Sequence, residues 1–277
     1  MSHLFNFREG WQSEKLAQYI LSKIAFVSQP VTTSDDVGTD FFCTLFDIKK
    51  EDKNNFILPK NSFAIQVKSK DKKDEIEITN KESYIRQLEV PFFWGIVDKK
   101  AQKIVIYSGE FFEIFIAHIG GVPKGQKLFI KLTDTRNENK GYYEEKNKWY
   151  INFPKIVEIS INFNYLESAK AIQPLFKACE LMLKNIAARI KGINMFEMDS
   201  GSYFICTGPY SARIFRKNVY NVLTEAFYNL AYLKKTRGKG DKEFKIYLTF
   251  YNAINKLRND IPDDLYLAVK RASKQFK

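Results

Sequence analysis

One segment in the first quarter of the chain alternates apolar and polar residues with the period of two that is typical of a β-strand. The alternation places Phe63, Ile65 and Val67 on one face and the polar pair Gln66 and Lys68 on the other. The apolar face is predicted to contact a hydrophobic core. The polar face presents an amide and an ammonium group side by side on a rigid element.

The periodicity of the surrounding segments predicts alternating helices and strands over residues 1–162. Two of the predicted strands, 39–48 and 61–69, form an antiparallel pair joined by a polar connection. The near-continuous apolar run at 90–98 is typical of a buried central strand. The predicted elements are helix 12–26, strands 39–48 and 61–69, helix 81–89, strands 90–98 and 103–107, helix 110–119, and strands 127–133 and 148–161.

After residue 164 the pattern changes to helical repeats. Pro174 is expected to kink or break the first of them. We therefore expect an α/β domain at residues 1–162 and a mainly α-helical domain at residues 163–277. The predicted helices of the second domain are 165–191, 211–235, 242–258 and 263–275.

Positive charge is concentrated towards the C-terminal end. Residues 1–154 carry a net charge of +2, whereas residues 155–277 carry +10 of the total of +12. A lysine-rich composition alone would spread its charge over both parts. The uneven split favours a polyanionic partner, with nucleic acid first and an anionic membrane surface second.

Two groups of basic residues mark the ends of the helix predicted at 211–235. Because a helix rises about 1.5 Å per residue, the groups lie roughly 33 Å apart, close to one turn of duplex DNA. An alternative use for residues 163–277 is the docking of a partner protein or of a second copy of the chain. The expected nucleic-acid-binding residues are Arg213, Arg216, Lys217, Lys234, Lys235, Arg237 and Lys239.

The composition excludes several classes of site. The chain contains two histidines, so a histidine-rich metal site or a Ser-His-Asp triad is not expected. Its three cysteines lie far apart and form no Cys-x-x-Cys pair, which argues against a disulfide framework or a zinc knuckle. No apolar run is long enough to span a membrane, and the N-terminal residues lack the layout of a signal peptide. We therefore expect a cytoplasmic protein with no membrane partner.

Two acidic residues precede the polar pair of the strand. Glu14 lies in the first turns of the first predicted helix, beside its apolar stripe, and Asp40 stands at the start of the first predicted strand. With two histidines and three scattered cysteines, the chain is expected to rely on carboxylates, lysines and a bound metal ion for catalysis. The order of helix acid, strand acid and then Gln66-x-Lys68 resembles the PD-(D/E)XK nuclease superfamily in its Q-x-K variant.

The resemblance covers residues 8–110 and extends less clearly to residue 160. The chain looks similar to Mrr-like restriction enzymes and Holliday-junction resolvases, and to the effector nucleases of short prokaryotic Argonautes and other antiviral systems. This implies a restriction-endonuclease-like mixed sheet flanked by helices. The chain departs from the family pattern at Thr39, where proline is usual, and at Gln66, where an acid is usual. The rival choices for the strand acid are Asp35 and Asp36.

The resemblance implies that Glu14, Asp40, Gln66 and Lys68 form the catalytic set. Asp40, the amide oxygen of Gln66 and the backbone carbonyl of Val67 are the implied metal ligands, and Mg²⁺ prefers oxygen ligands of this kind. Lys68 is expected to orient or activate the attacking water. Glu14 is expected to bind the metal through water or to hold a second ion.

The implied function is a metal-dependent nuclease acting in bacterial antiviral defence or restriction, with DNA favoured over RNA as the substrate. Mg²⁺ is the expected cofactor, and Mn²⁺ is expected to substitute for it. The alternative is a catalytically inactive protein of the same fold that acts as a nucleic-acid-binding or complex-assembly subunit. Magnesium-dependent cleavage of plasmid, linear DNA or RNA discriminates between the two.

Overall fold

The chain folds into two compact units, the first formed by residues 1–190 and 194–209 and the second by residues 191–193 and 210–277. The structure is a computed structural model. It describes residues 2–30, 38–51, 54–70, 75–135, 141–191, 195–199, 202–206, 221–232, 242–256, 258 and 263–275.

The first unit is an α/β fold built on a nine-stranded mixed sheet. Its helices are α1 (Ser2–Leu21), α2 (Glu82–Gln87), α3 (Glu110–Ile119), α4 (Tyr165–Ser168) and α5 (Gln173–Lys191), and a 3₁₀ turn at Thr79–Lys81 precedes α2. The strands of the sheet are β1 (Ala25–Ser28), β2 (Phe41–Glu51), β3 (Asn54–Ser69), β4 (Glu75–Glu77), β5 (Phe92–Asp98), β6 (Lys103–Ser108), β7 (Lys127–Thr133), β8 (Tyr142–Glu145) and β9 (Lys148–Ser160).

The sheet runs in the order β1-β2-β3-β5-β6-β9-β7-β4, and β8 pairs separately with β9. Strands β2 and β3 pair antiparallel, as the sequence predicts, and the structure places Phe41 opposite Ile65. Strands β3 and β5 pair parallel, with Gln66 opposite Trp94. The chain between them crosses the sheet through β4 and α2, as a parallel pair requires.

Both faces of β3 are covered. Phe63, Ile65 and Val67 belong to a core shared with α1 and α5, so the prediction for this face is confirmed. Ala64 belongs to a second core on the opposite face, shared with α2 and α3. Gln66 lies on that second face and is fully buried, whereas Lys68, further along the same face, is exposed.

The first unit extends further along the chain than the sequence predicts. The sequence places a boundary near residue 162, but residues up to 190 pack with the sheet. Tyr165 of α4 and Leu175 and Met182 of α5 are buried in the core that also contains the apolar face of β3. The break predicted at Pro174 is present, since a 3₁₀ turn precedes the start of α5.

Strands β4 and β8 are absent from the predicted elements, and two further strand regions were also not predicted. The helix expected at 12–26 ends at Leu21, and β1 follows it because its four residues pair with β2. Strands β10 (Met195–Asp199) and β11 (Ser202–Cys206) form an antiparallel hairpin that the helical pattern of this half does not indicate. In both cases, pairing with a neighbouring strand outweighs a weak local pattern.

The described part of the second unit is helical and consists of α6 (221–232), α7 (Lys242–Lys256) and α8 (Asp263–Gln275). These helices pack around Phe227, Tyr247, Ile254 and Val269, and the ring centroids of Phe227 and Tyr247 are 5.1 Å apart. None of the helices in the described ranges has the length and the apolar character that crossing a membrane requires.

Candidate functional site

Asp40 is joined to the end of β3 by its backbone and its side chain. Its backbone N–H donates to the carbonyl of Ile65 at 3.0 Å, which extends the β2–β3 ladder by one residue. Its carboxylate Oδ2 accepts from the backbone N–H of Val67 at 2.6 Å and from Nε2 of Gln66 at 2.7 Å. The structure therefore brings together Asp40, Gln66 and Val67, the three predicted metal ligands.

The amide of Gln66 is held from both ends. Its Nε2 donates to Asp40, and its Oε1 accepts from Nζ of Lys81 at a longer distance of 3.4 Å. A carboxylate only accepts hydrogen bonds and an ammonium only donates them, so the two partners together fix which end of the amide is oxygen. In this structure the amide oxygen of Gln66 faces Lys81, and its nitrogen faces Asp40.

The backbone of Val67 offers a further oxygen on the Asp40 side of β3. The N–H and C=O groups of one strand residue point towards the same neighbouring strand. Because the N–H of Val67 donates to Asp40, its carbonyl is directed to the same edge of β3. Strand β2 begins at Phe41, opposite Ile65, and so has no residue opposite Val67.

The surroundings of Asp40 act on its charge in opposite directions. Burial raises the pKa of the Asp40 carboxyl above its ordinary value. The Val67 N–H, the Lys68 charge, the Gln66 amide and the Lys81 charge all lower it. The two lysine charges lie near Asp40, but its two hydrogen bonds come from neutral groups.

Lys68 and Glu14 line a cavity of about 940 Å³ at the end of β3, together with Val67. Lys68 is exposed, and among the residues that the structure describes it forms no ion pair or hydrogen bond. The hydroxyl of Ser13 lies 2.6 Å from that of Ser69, which joins α1 to β3 one residue before Glu14. This contact positions the predicted helix acid on the cavity that contains the predicted strand lysine.

The other lysines of the cavity are paired with acids. Lys70 lies 2.8 Å from Asp98, and Lys103 lies 2.8 Å from Glu158. Lys68 is therefore the cavity lysine whose charge remains available to an anionic ligand, within the described part of the chain. Asp40 and Gln66 do not line the cavity themselves, and Val67 and Lys68 connect it to them.

The structure adds positioning residues that the sequence does not reveal. Lys81 comes from the 3₁₀ turn before α2, and Tyr84 of α2 bonds the hydroxyl of Thr39 at 2.5 Å. Ser13 and Ser69 are a second such pair. Neither Lys81 nor Tyr84 stands in a recognisable motif, because they reach the site through the crossover between β3 and β5.

Several predicted residues lie outside the described part of the chain. They include the rival acids Asp35 and Asp36. The predicted nucleic-acid-binding residues also fall in undescribed segments, namely Arg213, Arg216, Lys217, Lys234, Lys235, Arg237 and Lys239.

The donor set around Asp40 fits a hard divalent cation in its chemistry. Both hydrogen bonds that the Asp40 carboxylate accepts within the described chain end on Oδ2, so Oδ1 is left for a cation. Gln66 contributes its oxygen only if its amide turns away from Lys81. No three His, Cys, Asp or Glu side chains gather at a possible metal site in the described ranges, so a metal here depends on one carboxylate and on neutral oxygens.

Comparison with known proteins identifies no relative of this chain. No protein-family model, no curated protein and no solved structure matches this chain.

Proposed function

We propose that the chain is a metal-dependent nuclease that hydrolyses phosphodiester bonds, with DNA as its substrate. The observation that supports this is the meeting of Asp40 with the Gln66 amide and the Val67 backbone, directly beside Lys68. These residues are the ones that the Q-x-K pattern names.

The proposal assigns each residue a separate task. Asp40, the Val67 carbonyl and a turned Gln66 amide hold a divalent cation, preferably Mg²⁺. When bound, such a cation neutralises charge on the phosphate and makes water more acidic. Lys68 holds the phosphate or the attacking water from the cavity side, because its ammonium is exposed there. Glu14 lines the same cavity and orients water or a second ion.

The deciding experiment incubates the purified full-length protein with plasmid, linear DNA and RNA in Mg²⁺, in Mn²⁺ and in a chelator. We expect DNA cleavage with either metal and none in the chelator. Lys68→Ala should abolish cleavage, whereas Lys70→Ala should retain it, because Lys70 lines the same cavity but is paired with Asp98. Cleavage in the chelator would contradict the metal mechanism.

The charge of the C-terminal part supports nucleic acid as the ligand, since residues 155–277 carry +10 of the net charge of +12. Each phosphate contact adds about one unit to the dependence of log affinity on log salt. Reversing four of the predicted contacts in the full-length chain should weaken DNA binding and flatten this dependence. The four are Lys234, Lys235, Arg237 and Lys239. Unchanged binding would instead favour docking of a partner protein, or of a second copy, through this part.

A specific observation also favours a second candidate, a catalytically inactive subunit that binds nucleic acid or assembles a complex. The oxygen of Gln66 already has a cationic partner, Lys81, and the site offers few carboxylates. This candidate predicts DNA binding without cleavage in any metal, and without Mn²⁺ binding. The proposed nuclease predicts both DNA cleavage and Mn²⁺ binding.

A further inference from the structure

The cation that contacts the amide oxygen of Gln66 in this structure is the ammonium group of Lys81. Its ammonium lies 3.4 Å from that oxygen, and its charge acts on Asp40. Gln66 is fully buried, so its amide cannot exchange these partners for bulk water without moving. The amide is therefore oriented by Lys81 on one end and by Asp40 on the other.

The path of the Lys81 side chain is fixed by its neighbours. Gly38 has a φ of +85°, and a Cβ at that position would lie 3.3 Å from Cδ of Lys81 and 3.6 Å from Cδ1 of Tyr84. The lysine stem thus passes close over the glycine backbone. The hydroxyl contact between Thr39 and Tyr84 joins the same two segments one residue away. Lys81 is held at the site by this packing.

We infer that Lys81 is a positioning residue that locks the Gln66 amide with its oxygen turned away from Asp40, so that metal binding requires this contact to break. The inference rests on the proposed function, because it concerns the same cation site. A divalent cation shared by Asp40 and Gln66 needs the amide oxygen on the Asp40 side. The cation also meets repulsion from the Lys81 ammonium until that group moves.

The lock has a consequence for metal affinity. In the locked arrangement, Asp40 is the only carboxylate of the described residues that bonds the amide, and two lysine charges lie near it. Removing the Lys81 charge frees the amide and lowers the repulsion. A neutral side chain at position 81 should therefore strengthen metal binding, although it removes a residue that contacts the site.

The experiment measures Mn²⁺ binding directly, through loss of the free-ion electron paramagnetic resonance signal, with full-length protein and no substrate. Lys81→Met retains the stem that packs over Gly38, and Lys81→Arg retains the charge. Lys60→Met is the matched control, since it removes one lysine charge away from the site. Lys60 lies in β3, six residues before Gln66 and so roughly 20 Å from it along the strand. Circular dichroism checks that every variant is folded, and Lys81→Gln is a second neutral variant in case Lys81→Met is not.

We expect Lys81→Met to bind Mn²⁺ about tenfold or more tightly than the wild type. Lys60→Met and Lys81→Arg should match the wild type or bind more weakly. A Mg²⁺ titration followed on the Gln66 side-chain amide by NMR should show its signals shifting at lower Mg²⁺ concentration in Lys81→Met.

The outcomes separate this inference from the proposed function. Equal or weaker binding by folded Lys81→Met, with clear binding by the wild type, overturns the lock and leaves the nuclease standing. Tighter binding by Lys81→Met with no DNA cleavage by the wild type supports the lock and contradicts the nuclease. Absence of Mn²⁺ binding in every variant overturns both.

Discussion

Two carboxylates of the first unit, Asp40 and Glu113, are shielded from water, but their charges are stabilised in different ways. Burial raises the pKa of both. Glu113 accepts from Nε of Arg189 at 2.6 Å, and the same guanidinium donates to the carbonyl of Leu88 at 3.2 Å. Among the described residues, Asp40 accepts only from neutral N–H groups, and both of these bonds end on the same oxygen.

The difference separates a structural charge from one that can bind a ligand. Arg189 neutralises Glu113 and joins α3 to α5, so nothing further is needed to compensate that carboxylate. Asp40 is stabilised by N–H dipoles and by the charges of Lys68 and Lys81, without an ion-pair hydrogen bond in the described chain, and its second oxygen is left there for a cation. A partly buried carboxylate of the second kind is the one to test for function.

The largest effect on cleavage is expected when Asp40, the carboxylate proposed to bind a cation, is neutralised. Asp40→Asn should lower DNA cleavage by about a hundredfold or more, because its neutral amide no longer attracts a cation. The Asn carbonyl can still accept from Val67 and Gln66, so the fold should persist. Glu113→Gln is the matched control and should cleave at the wild-type rate. Equal loss in the two variants would remove Asp40 from the mechanism.

The second effect concerns stability and is expected at Glu113. Glu113→Ala leaves Arg189 without its carboxylate in a largely buried position, and should lower the free energy of unfolding by about 3–5 kcal/mol. Urea denaturation measures this. Replacing both partners, with Glu113→Leu and Arg189→Met, should restore most of the loss. If Asp40→Asn proved as destabilising as Glu113→Ala, the distinction between the two carboxylates would fail.

A third change sharpens the comparison by adding a charge beside Asp40. In the wild type, Gln66 is fully buried and its Nε2 donates to Asp40 at 2.7 Å. Gln66→Glu replaces this amide with a second carboxylate. The two acids should repel each other in the metal-free protein and lower its melting temperature. Mn²⁺ should reverse this, and the metal concentration needed for cleavage should fall several-fold. A melting temperature that does not respond to Mn²⁺ would contradict the assignment of Gln66.

The smallest effect is expected at a third carboxylate, Asp98, whose pKa is shifted the other way. The hydrogen bond from Lys70 comes first among the causes, and backbone N–H groups of the following turn add to it, lowering the pKa of Asp98 to about 2. Its folded-state pKa is below its unfolded value of 3.8, so its contribution is complete above that value. The contribution is lost as the pH falls through about 2.

Asp98→Asn should therefore lower stability slightly at neutral pH, where the contribution is complete, and leave it unchanged near pH 2, where the contribution is already lost. Thermal melts at a series of pH values from neutral to acidic measure this. Asn can still accept the backbone bonds of the turn from Lys100 and Ala101. A large loss at neutral pH would show that the Lys70 pair contributes more than an exposed ion pair normally does.

Much of the β2–β3 arrangement could be predicted from the sequence. The alternation of Phe63, Ile65 and Val67 gives the face of β3, and the position of Asp40 before an apolar run gives its place at the start of β2. Local period and order are sufficient for the face and the pairing of these strands. They do not give the register, nor the extension of β2 to Glu51 and of β3 back to Asn54, where a polar connection was expected.

Other features could not be predicted, because they depend on contacts between segments distant in sequence. The burial of Gln66 results from the crossover that lays Lys81 and α2 over β3. The extension of the first unit to residue 190 results from the packing of α5 beneath the sheet. Nothing in the local pattern of either segment indicates which surface it will cover.

The packing of α5 against β3 has a consequence for synthesis on the ribosome. The face of β3 that bears Ile65 and Val67 is completed by Leu175 and Met182, which are translated more than a hundred residues later. During that interval, the growing chain presents an apolar sheet face that chaperones can bind. A nascent chain that stalls before α5 emerges is thus expected to be retained by chaperones or degraded, even though every candidate catalytic residue has already been made.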